Sequence, residues 1–376
     1  MSHIPSRRLG SAMTLAGGVA VASLAFAALP PTSGAAASAR STTTIGSQSA
    51  PAAAAAYLVG QFAGKHHDHY TSSYTYQGKS YSYVNYGETA DAVLSIDAAG
   101  VAQSAAKRAT SYLEKQVKAY AGTSAAGYSP GAIGKLMLLA EAQHVGVRHF
   151  GGVNLVSEVV STEGAGDAST GEYQQNPVGT PAADDYFSTT SQALAMLGLA
   201  NSPHAGAQPD AAAVSFLAAQ QCSGGGYPSQ LLSDPTTACQ AGSDIDSTGY
   251  AVQALLASGD HAAADKGVAY LEGIQHKNGG FGTGGGNANS TAIAAEALLA
   301  AHEPLGGAIG WLQSHQVGCS GKPARRGAVN YQKGYDAQAS LLATSQAGAA
   351  LARRPLAWID RSGARTKTPV ISCSKG

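Results

Sequence analysis

The feature that most constrains this chain is a unit that recurs along it. Residues 214–259 read as a helix, a glycine-rich loop carrying one aromatic, and a second helix. Val214, Phe216, Leu217 and then Gln220 mark the first helix, and Gly224-Gly225-Gly226-Tyr227-Pro228 is the loop. The second helix opens at Asp246-Ser247-Thr248 and stops at Ser258-Gly259. A small polar residue at the start and a glycine just past the end are helix boundary signals. The next copy, residues 267–302, repeats Tyr270-Leu271, Gln275, Gly279-Gly280-Phe281 and Asn289-Ser290-Thr291. Leu255 and Leu298 are 43 residues apart, and so are Asp246 and Asn289, so both landmarks keep one register. A sixth copy has Trp311-Leu312-Gln313 and then 336–343; a third has Leu155-Val156 and then 188–199. A second has Tyr112-Leu113, Gln116, the loop aromatic Tyr128 and then 130–140; the first has Tyr57-Leu58, Gln61 and then 89–100. Six copies at spacings of about 40 to 60 residues suit a helix-pair repeat.

Helix pairs stack in an open solenoid or close into a ring. An open array needs polar capping repeats, and the end copies here are as apolar as the middle ones. The expected fold is therefore all-α, an (α/α)6 toroid with inner and outer helices. The motifs resemble those of the prenyltransferase and terpene-cyclase-like (squalene-cyclase-type) toroid superfamily, and more closely its secreted actinobacterial members. The resemblance covers roughly residues 52–351. The Gln-then-Gly-aromatic element, Gln275 with Gly280-Phe281, is similar to that family's Gln-Trp repeat, with Phe or Tyr in place of Trp.

Residues 1–37 read as a secretory signal peptide: Arg7-Arg8, an apolar run 12–29 and the small residues Ala35-Ala36-Ala37. Residues 38–51 read as a disordered Ser/Thr/Ala linker, 52–352 as the toroid, and 353–376 as an extended C-terminal strap anchored by Trp358. Within the first copy, Tyr74-Thr75-Tyr76 and Tyr81-Ser82-Tyr83 alternate around Gln77-Gly78-Lys79-Ser80. Alternation predicts a small β-hairpin with a tyrosine face, which would stack on sugars or pack over the ring mouth. Zero formal net charge with 12% charged residues gives no electrostatic attraction for nucleic acid or an anionic membrane. No stretch beyond the signal is long and apolar enough to span a bilayer.

Four cysteines in an exported chain argue for disulfides rather than metal. Three pairings are possible; the local one, Cys222–Cys239 with Cys319–Cys373, is expected. Loop closure would then contribute about 3 and about 4 kcal/mol on the chain-entropy model. His66-His67-Asp68-His69 is the one dense ligand cluster, yet adjacent residues rarely reach one metal together, and no metal site is expected. Residues 280–285 spell G-x-G-x-x-G but follow a helix, so the dinucleotide reading fails its context.

Asp244-Ile245-Asp246-Ser247 resembles the acidic D-x-D-D of squalene-type cyclases, which implies Asp246 as the proton donor, with Asp244 beside it. The last position departs, being Ser247. The alternative role for Asp246 is a helix N-cap, matching Ser129 and Asn289 in other copies. Helix ends at Ile96, Leu255 and Leu341 place Asp91 and Asp336 at the position of Tyr250. In a closed ring they would face each other across the seam, which is equipment for acid–base hydrolysis. Inner-helix starts would gather Tyr128, Asp185, Tyr186, Asp244, Asp246, Tyr250, Asn287, Asn289, Tyr331 and Asp336 around one rim. The expected function is a secreted, monomeric binder of an apolar or envelope-derived small ligand in the central cavity, without cofactor. The alternatives are an isoprenoid cyclase using Asp246 and a glycan hydrolase using paired carboxylates.

Overall fold

The computed structural model describes residues 44–123, 125–164, 170–175, 188–202, 205–231 and 235–373. The expected signal peptide, most of the expected linker, and the candidates Asp185 and Tyr186 lie outside them. The described part is mostly helical. Its elements are β1 (Thr44–Ile45), β2 (Gln48–Ser49), α1 (Ala50–Gln61), β3 (Tyr70–Tyr76), β4 (Lys79–Asn85), α2 (Tyr86–Ala98), α3 (Gln103–Lys115), α4 (Val117–Ala121), β5 (Gly122–Thr123), β6 (Gly127–Tyr128), α5 (Pro130–Ala142), α6 (Leu155–Val160) and α7 (Thr189–Ala200). There follow α8 (Ala211–Ala219), α9 (Pro235–Cys239), α10 (Ile245–Ser258), α11 (His261–Ile274), α12 (Ala288–Ala300), α13 (Ala308–Ser314) and α14 (Ala337–Leu351). Residues 44–51, expected as linker, are paired as β1 and β2 and lead straight into α1.

Helices α2, α5, α7, α10, α12 and α14 are buried on almost every side, as their all-round apolar and small residues require. Each packs on the next in chain order, and α14 packs back on α2, so the six form a closed cycle. Glycine lets neighbours approach. A Cβ at Gly134 of α5 would clash with the backbone at Leu194 of α7, and one at Gly348 of α14 would sit 2.6 Å from the side chain of Ser95 on α2. These contacts join matching heights, so adjacent helices run parallel and their N-termini share one mouth.

A threonine device fixes three loop aromatics to their helices. The backbone N–H of Tyr70, Tyr227 and Phe281 donates to Thr89, Thr248 and Thr291, each four residues after the helix cap. Val329 donates likewise to Thr344 at 2.8 Å. Thr344 is eight residues past the cap Asp336, because α14 begins one turn early. The counterpart of Leu255 in α14 is therefore Leu351, not Leu341, and the counterpart of Asp91 and Tyr250 is Gln346, not Asp336.

A glutamine device links units. Gln221 Nε2 donates to the carbonyls of Gly225 in its own turn and Ala263 in α11, each at 2.8 Å. Gln275 does the same to Gly279 and to Leu305, just before α13. Gln316 donates to Gly327 and to Ala50, the first residue of α1, at 2.9 Å each. That last bond joins the loop after α13 to the start of α1. Gln220 and Gln313, the sequence landmarks, are the wrong members of two closely spaced glutamine pairs. Gln316→Leu strands two buried carbonyls and is expected to cost about 1–3 kcal/mol. Urea unfolding checks this; an unchanged midpoint would show that the bond contributes nothing.

Both expected disulfides are present, Cys222–Cys239 and Cys319–Cys373. The second ties the C-terminal segment to the loop before α14. That segment crosses the other end of the helix cycle: Arg361 N–H donates to Ala142 at the end of α5, and Arg365 N–H to Gly100 beyond α2. Trp358 stacks on His302 with ring centroids 5.3 Å apart.

Candidate functional site

The helix cycle has a polar centre. Lys135 of α5 is fully buried, and its Nζ lies 2.5 Å from Asp91 Oδ1 of α2. Glu88 and Glu296 are buried in the same interior. Burial pushes the Glu88 carboxyl up to about 8, helped by repulsion from Asp91 and opposed by Lys135. Asp91 rises to about 6, because burial outweighs its lysine. Burial, and Asp91 after it, hold the Glu296 carboxyl well above its ordinary range. Near pH 7 this leaves Glu88 mostly protonated and Asp91, beside Lys135, mostly ionised, with Glu296 pushed toward its protonated form. One buried cation is then matched by one buried anion, which is the arrangement that burial tolerates.

Little space remains. The cavity between Asp91, Ile293, Glu296, Ser345, Gln346 and Leu356 measures ≈ 10 Å³, scarcely room for one water molecule. Leu356, from the segment crossing the far end, helps to fill it. The central apolar cavity expected from the sequence is therefore not what these residues build. Asn289 also points inward, its Nδ2 donating to Gln346 Oε1 at 2.5 Å. Tyr250 is buried in the core.

The open space lies at the mouth, between the starts of α10 and α12. A cleft of ≈ 440 Å³ is lined by Ser243, Asp244, His276, Thr283, Asn287 and Ser290, with Ile245 and Ile274 as apolar wall. Asp244, not Asp246, is the N-cap of α10: its Oδ1 accepts from Ser247 N–H at 2.8 Å. Asn287, not Asn289, caps α12 through Ser290 N–H at 2.9 Å. Two helix N-termini thus meet at one opening, with their partial positive charge directed to it. The stretch spelling G-x-G-x-x-G supplies Gly282 and Thr283 to the rim as a short turn between two helices, and His276 is held there by the Gly282 carbonyl at 2.6 Å.

Asp246 lies behind this cleft. The residue is half-buried, while its Oδ1 is sealed from solvent without a partner. Burial raises its carboxyl to about 6, against a hydrogen bond to Ser290. Ser290 therefore joins Asp246 to the cleft wall and to Asn287, whose Nδ2 donates to Ser290 Oγ at 3.1 Å.

The other candidates lie elsewhere. Asp336 is exposed and caps α14 through Ala339 N–H, so it does not face the buried Asp91. The paired-carboxylate site is not formed by these two residues. Tyr331 is 40% exposed, and its carbonyl accepts from Ala288 N–H beside the cleft. Tyr128 is half-buried in β6. His69 pairs with Asp68 at 2.7 Å and stacks on Tyr112. Among the described residues no group of three or more His, Cys, Asp or Glu could hold a metal ion. Lys135, Glu88 and Glu296 were missed. Lys135 and Glu296 each stand amid apolar helical residues, and that was the available signal; Glu88 opens α2 three residues before Asp91.

No family model and no curated protein matches the sequence. Solved structures do. A protein from Actinoplanes matches with TM-score 0.54 at 16% identity, over 82% of this chain and 98% of its own. The type II terpene cyclase MstE from Scytonema matches with TM-score 0.52 at 14% identity, over 81% and 96%. An aspartate-to-alanine variant of MstE in complex with its product merosterolic acid A matches with TM-score 0.51 at 16% identity, over 81% and 95%. The ent-copalyl diphosphate synthase from Streptomyces platensis matches at 18% identity, and this chain spans about half of that enzyme, 51%. The chain has the terpene-cyclase-like α/α toroid fold.

Proposed function

We propose that this protein is a secreted (α/α)6 toroid of six helix-pair repeats, with the β3–β4 hairpin inserted in the first. Its mouth cleft between α10 and α12 binds a small ligand bearing hydroxyl or amide groups. The observation that carries this reading is the contrast between the two spaces. The pocket between α2, α12 and α14 holds ≈ 10 Å³ while the cleft holds ≈ 440 Å³, and ligand sites are typically about 300–1,000 Å³ with a few convergent polar groups. Ser243, Asn287, Ser290, Thr283 and His276 supply donors and acceptors; Ile245 and Ile274 supply apolar contact. Two disulfides support an extracellular setting. No helix among the described residues is long and apolar enough to cross a membrane.

Asp246 favours a second reading, an isoprenoid cyclase with this residue as general acid. Its carboxyl is raised to about 6, the direction that keeps a proton available near neutrality, and the fold is that of type II terpene cyclases. The filled centre weighs against it, since such a substrate needs an enclosed apolar space.

Asp246→Asn separates the readings. Asp246 is not the helix cap, so the fold should survive. On the binding reading, native mass spectrometry of the secreted protein finds a co-purified small molecule, and the variant retains it with at most a modest loss. Incubation of the wild type with squalene should give no cyclised product. Cyclisation that disappears in Asp246→Asn would overturn the binding reading in favour of the enzyme.

A further inference from the structure

Strands β3 and β4 form an antiparallel ribbon that pairs Tyr70 with Asn85, Ser72 with Tyr83, Tyr74 with Tyr81 and Tyr76 with Lys79. Residues paired in this way share a face, and alternate residues lie on the other. One face therefore carries Tyr74, Tyr76, Tyr81 and Tyr83 with Lys79 at its tip; the other carries Thr71, Ser73, Thr75, Ser80 and Ser82 with Val84 at its base. Beyond Ser72 and up to Tyr83 the ribbon is exposed on both faces. The four tyrosines are 42–50% exposed, making up most of the exposed large hydrophobic residues among those described.

A ribbon of this kind has no core of its own and is marginal in water. Its rings support one another: Tyr74 and Tyr81 lie near-parallel at 18° with centroids 5.3 Å apart, and Tyr83 is inclined to Tyr74 at 56° and 6.1 Å. A folding role would place such rings against the body of the protein; here they stand away from it. The ribbon ends at Asn85, the N-cap of α2, so it rises from the same mouth that holds the cleft.

We propose that the tyrosine face of this hairpin is a docking platform for a neutral polysaccharide. The chemistry of the face selects that occupant. Lys79, opposite Tyr76, is the only charged residue from Tyr70 to Asn85, a single cation where recognition of a polyanion or an acidic protein takes a cluster. Tyrosine presents a flat apolar ring and a hydroxyl, which match the C–H face and the equatorial hydroxyls of a pyranose. Leucine or phenylalanine would suit an apolar partner; none is on the ribbon. Seven residues per strand span about 20 Å, which gives a linear chain room to lie along the ribbon. The Thr and Ser face keeps the reverse side soluble. This inference is independent of what the cleft binds.

Affinity electrophoresis of the full chain tests it, in gels containing soluble hydroxyethylcellulose, glycol chitosan acetylated to neutral glycol chitin, or soluble starch, with carboxymethylcellulose as the charged control. At least one neutral gel should retard the wild type. Tyr74→Ala/Tyr81→Ala should weaken the retardation at least tenfold, whereas Tyr74→Phe/Tyr81→Phe should keep most of it, because the rings remain. An unchanged melting temperature in the double alanine variant would show that the body of the fold is intact. Absence of retardation in all three neutral gels would overturn the proposal, as would retardation that survives loss of both rings. A concentration-dependent dimer abolished by the double alanine variant, without glycan retardation, would assign the face to a second copy of this chain instead. Binding to phosphatidylcholine vesicles without glycan retardation would assign it to a membrane surface.

Discussion

Lys135→Met is expected to destabilise the fold by about 3–5 kcal/mol at pH 7, the usual cost of leaving one member of a buried ion pair alone. Lys135 is fully buried 2.5 Å from Asp91, and it also lowers the energy of ionised Glu88. Without it, Asp91 must either stay charged in a nonpolar interior or take up a proton. The second course is easier at low pH, so the loss should shrink below about pH 5. Asp91→Asn in the same chain removes the stranded charge and should restore at least half of the lost stability. Urea unfolding of the three variants measures both effects. A Lys135→Met protein as stable as the wild type would show that the pair is not buried as described.

The second large effect concerns pH. A carboxyl raised on folding keeps a proton that the unfolded chain has released. Stability from that source is complete below the unfolded pKa, and it is lost as pH rises through the folded one. Glu88 moves from 4.5 to about 8 and Asp97 from 3.8 to about 7, in both cases chiefly by burial. Glu296 shifts in the same direction. The chain should therefore be most stable near pH 4–5 and lose on the order of a few kcal/mol by pH 8. Glu88→Gln keeps a polar group within reach of Asn85 Nδ2, which donates to Glu88 Oε2 at 2.8 Å. It should flatten the slope between pH 5 and 8 and raise stability at the upper end. Equal unfolding midpoints across this range for the wild type would contradict the assignment of a protonated interior.

Much of the architecture was legible in the sequence because it repeats. The glycine turn, its aromatic and the capped helix recur, and the physical reason is now visible: a threonine holds the turn to the helix and a glutamine holds it to the next unit. The same repetition misled where neighbours were alike. Leu341 and Leu351 both lie in apolar stretches of α14, and choosing the first shifted Asp336 ten residues away from its true counterpart position. The choice of Asp246 over Asp244 as cap failed similarly, because the two acids are two residues apart and either satisfies the boundary rule.

The site was less legible than the fold. Asp244 and Asn287, expected at inner-helix starts, line the cleft. His276, Thr283 and Ser290 complete it from the same unit, where the glycine turn and the helix start were read as fold landmarks and not as a site. The polar centre was hidden for a different reason. An expected ring invites an expected hole, and only packing shows that Lys135, Glu88, Glu296, Gln346 and Leu356 converge to fill it. A toroid can thus keep its helices and lose its central chamber through a few buried side chains.

The central claim is that ligand binds at the mouth rather than in the ring. Soaking crystals of the protein in a panel of small hydroxylated and amide-bearing fragments tests it most directly. Fragments should collect between Asp244, His276 and Asn287, with Ser290 among their contacts, and the space beside Asp91, Glu296 and Gln346 should stay closed. Fragments ordered at the ring centre, or no fragment in the cleft at any concentration tried, would contradict the account.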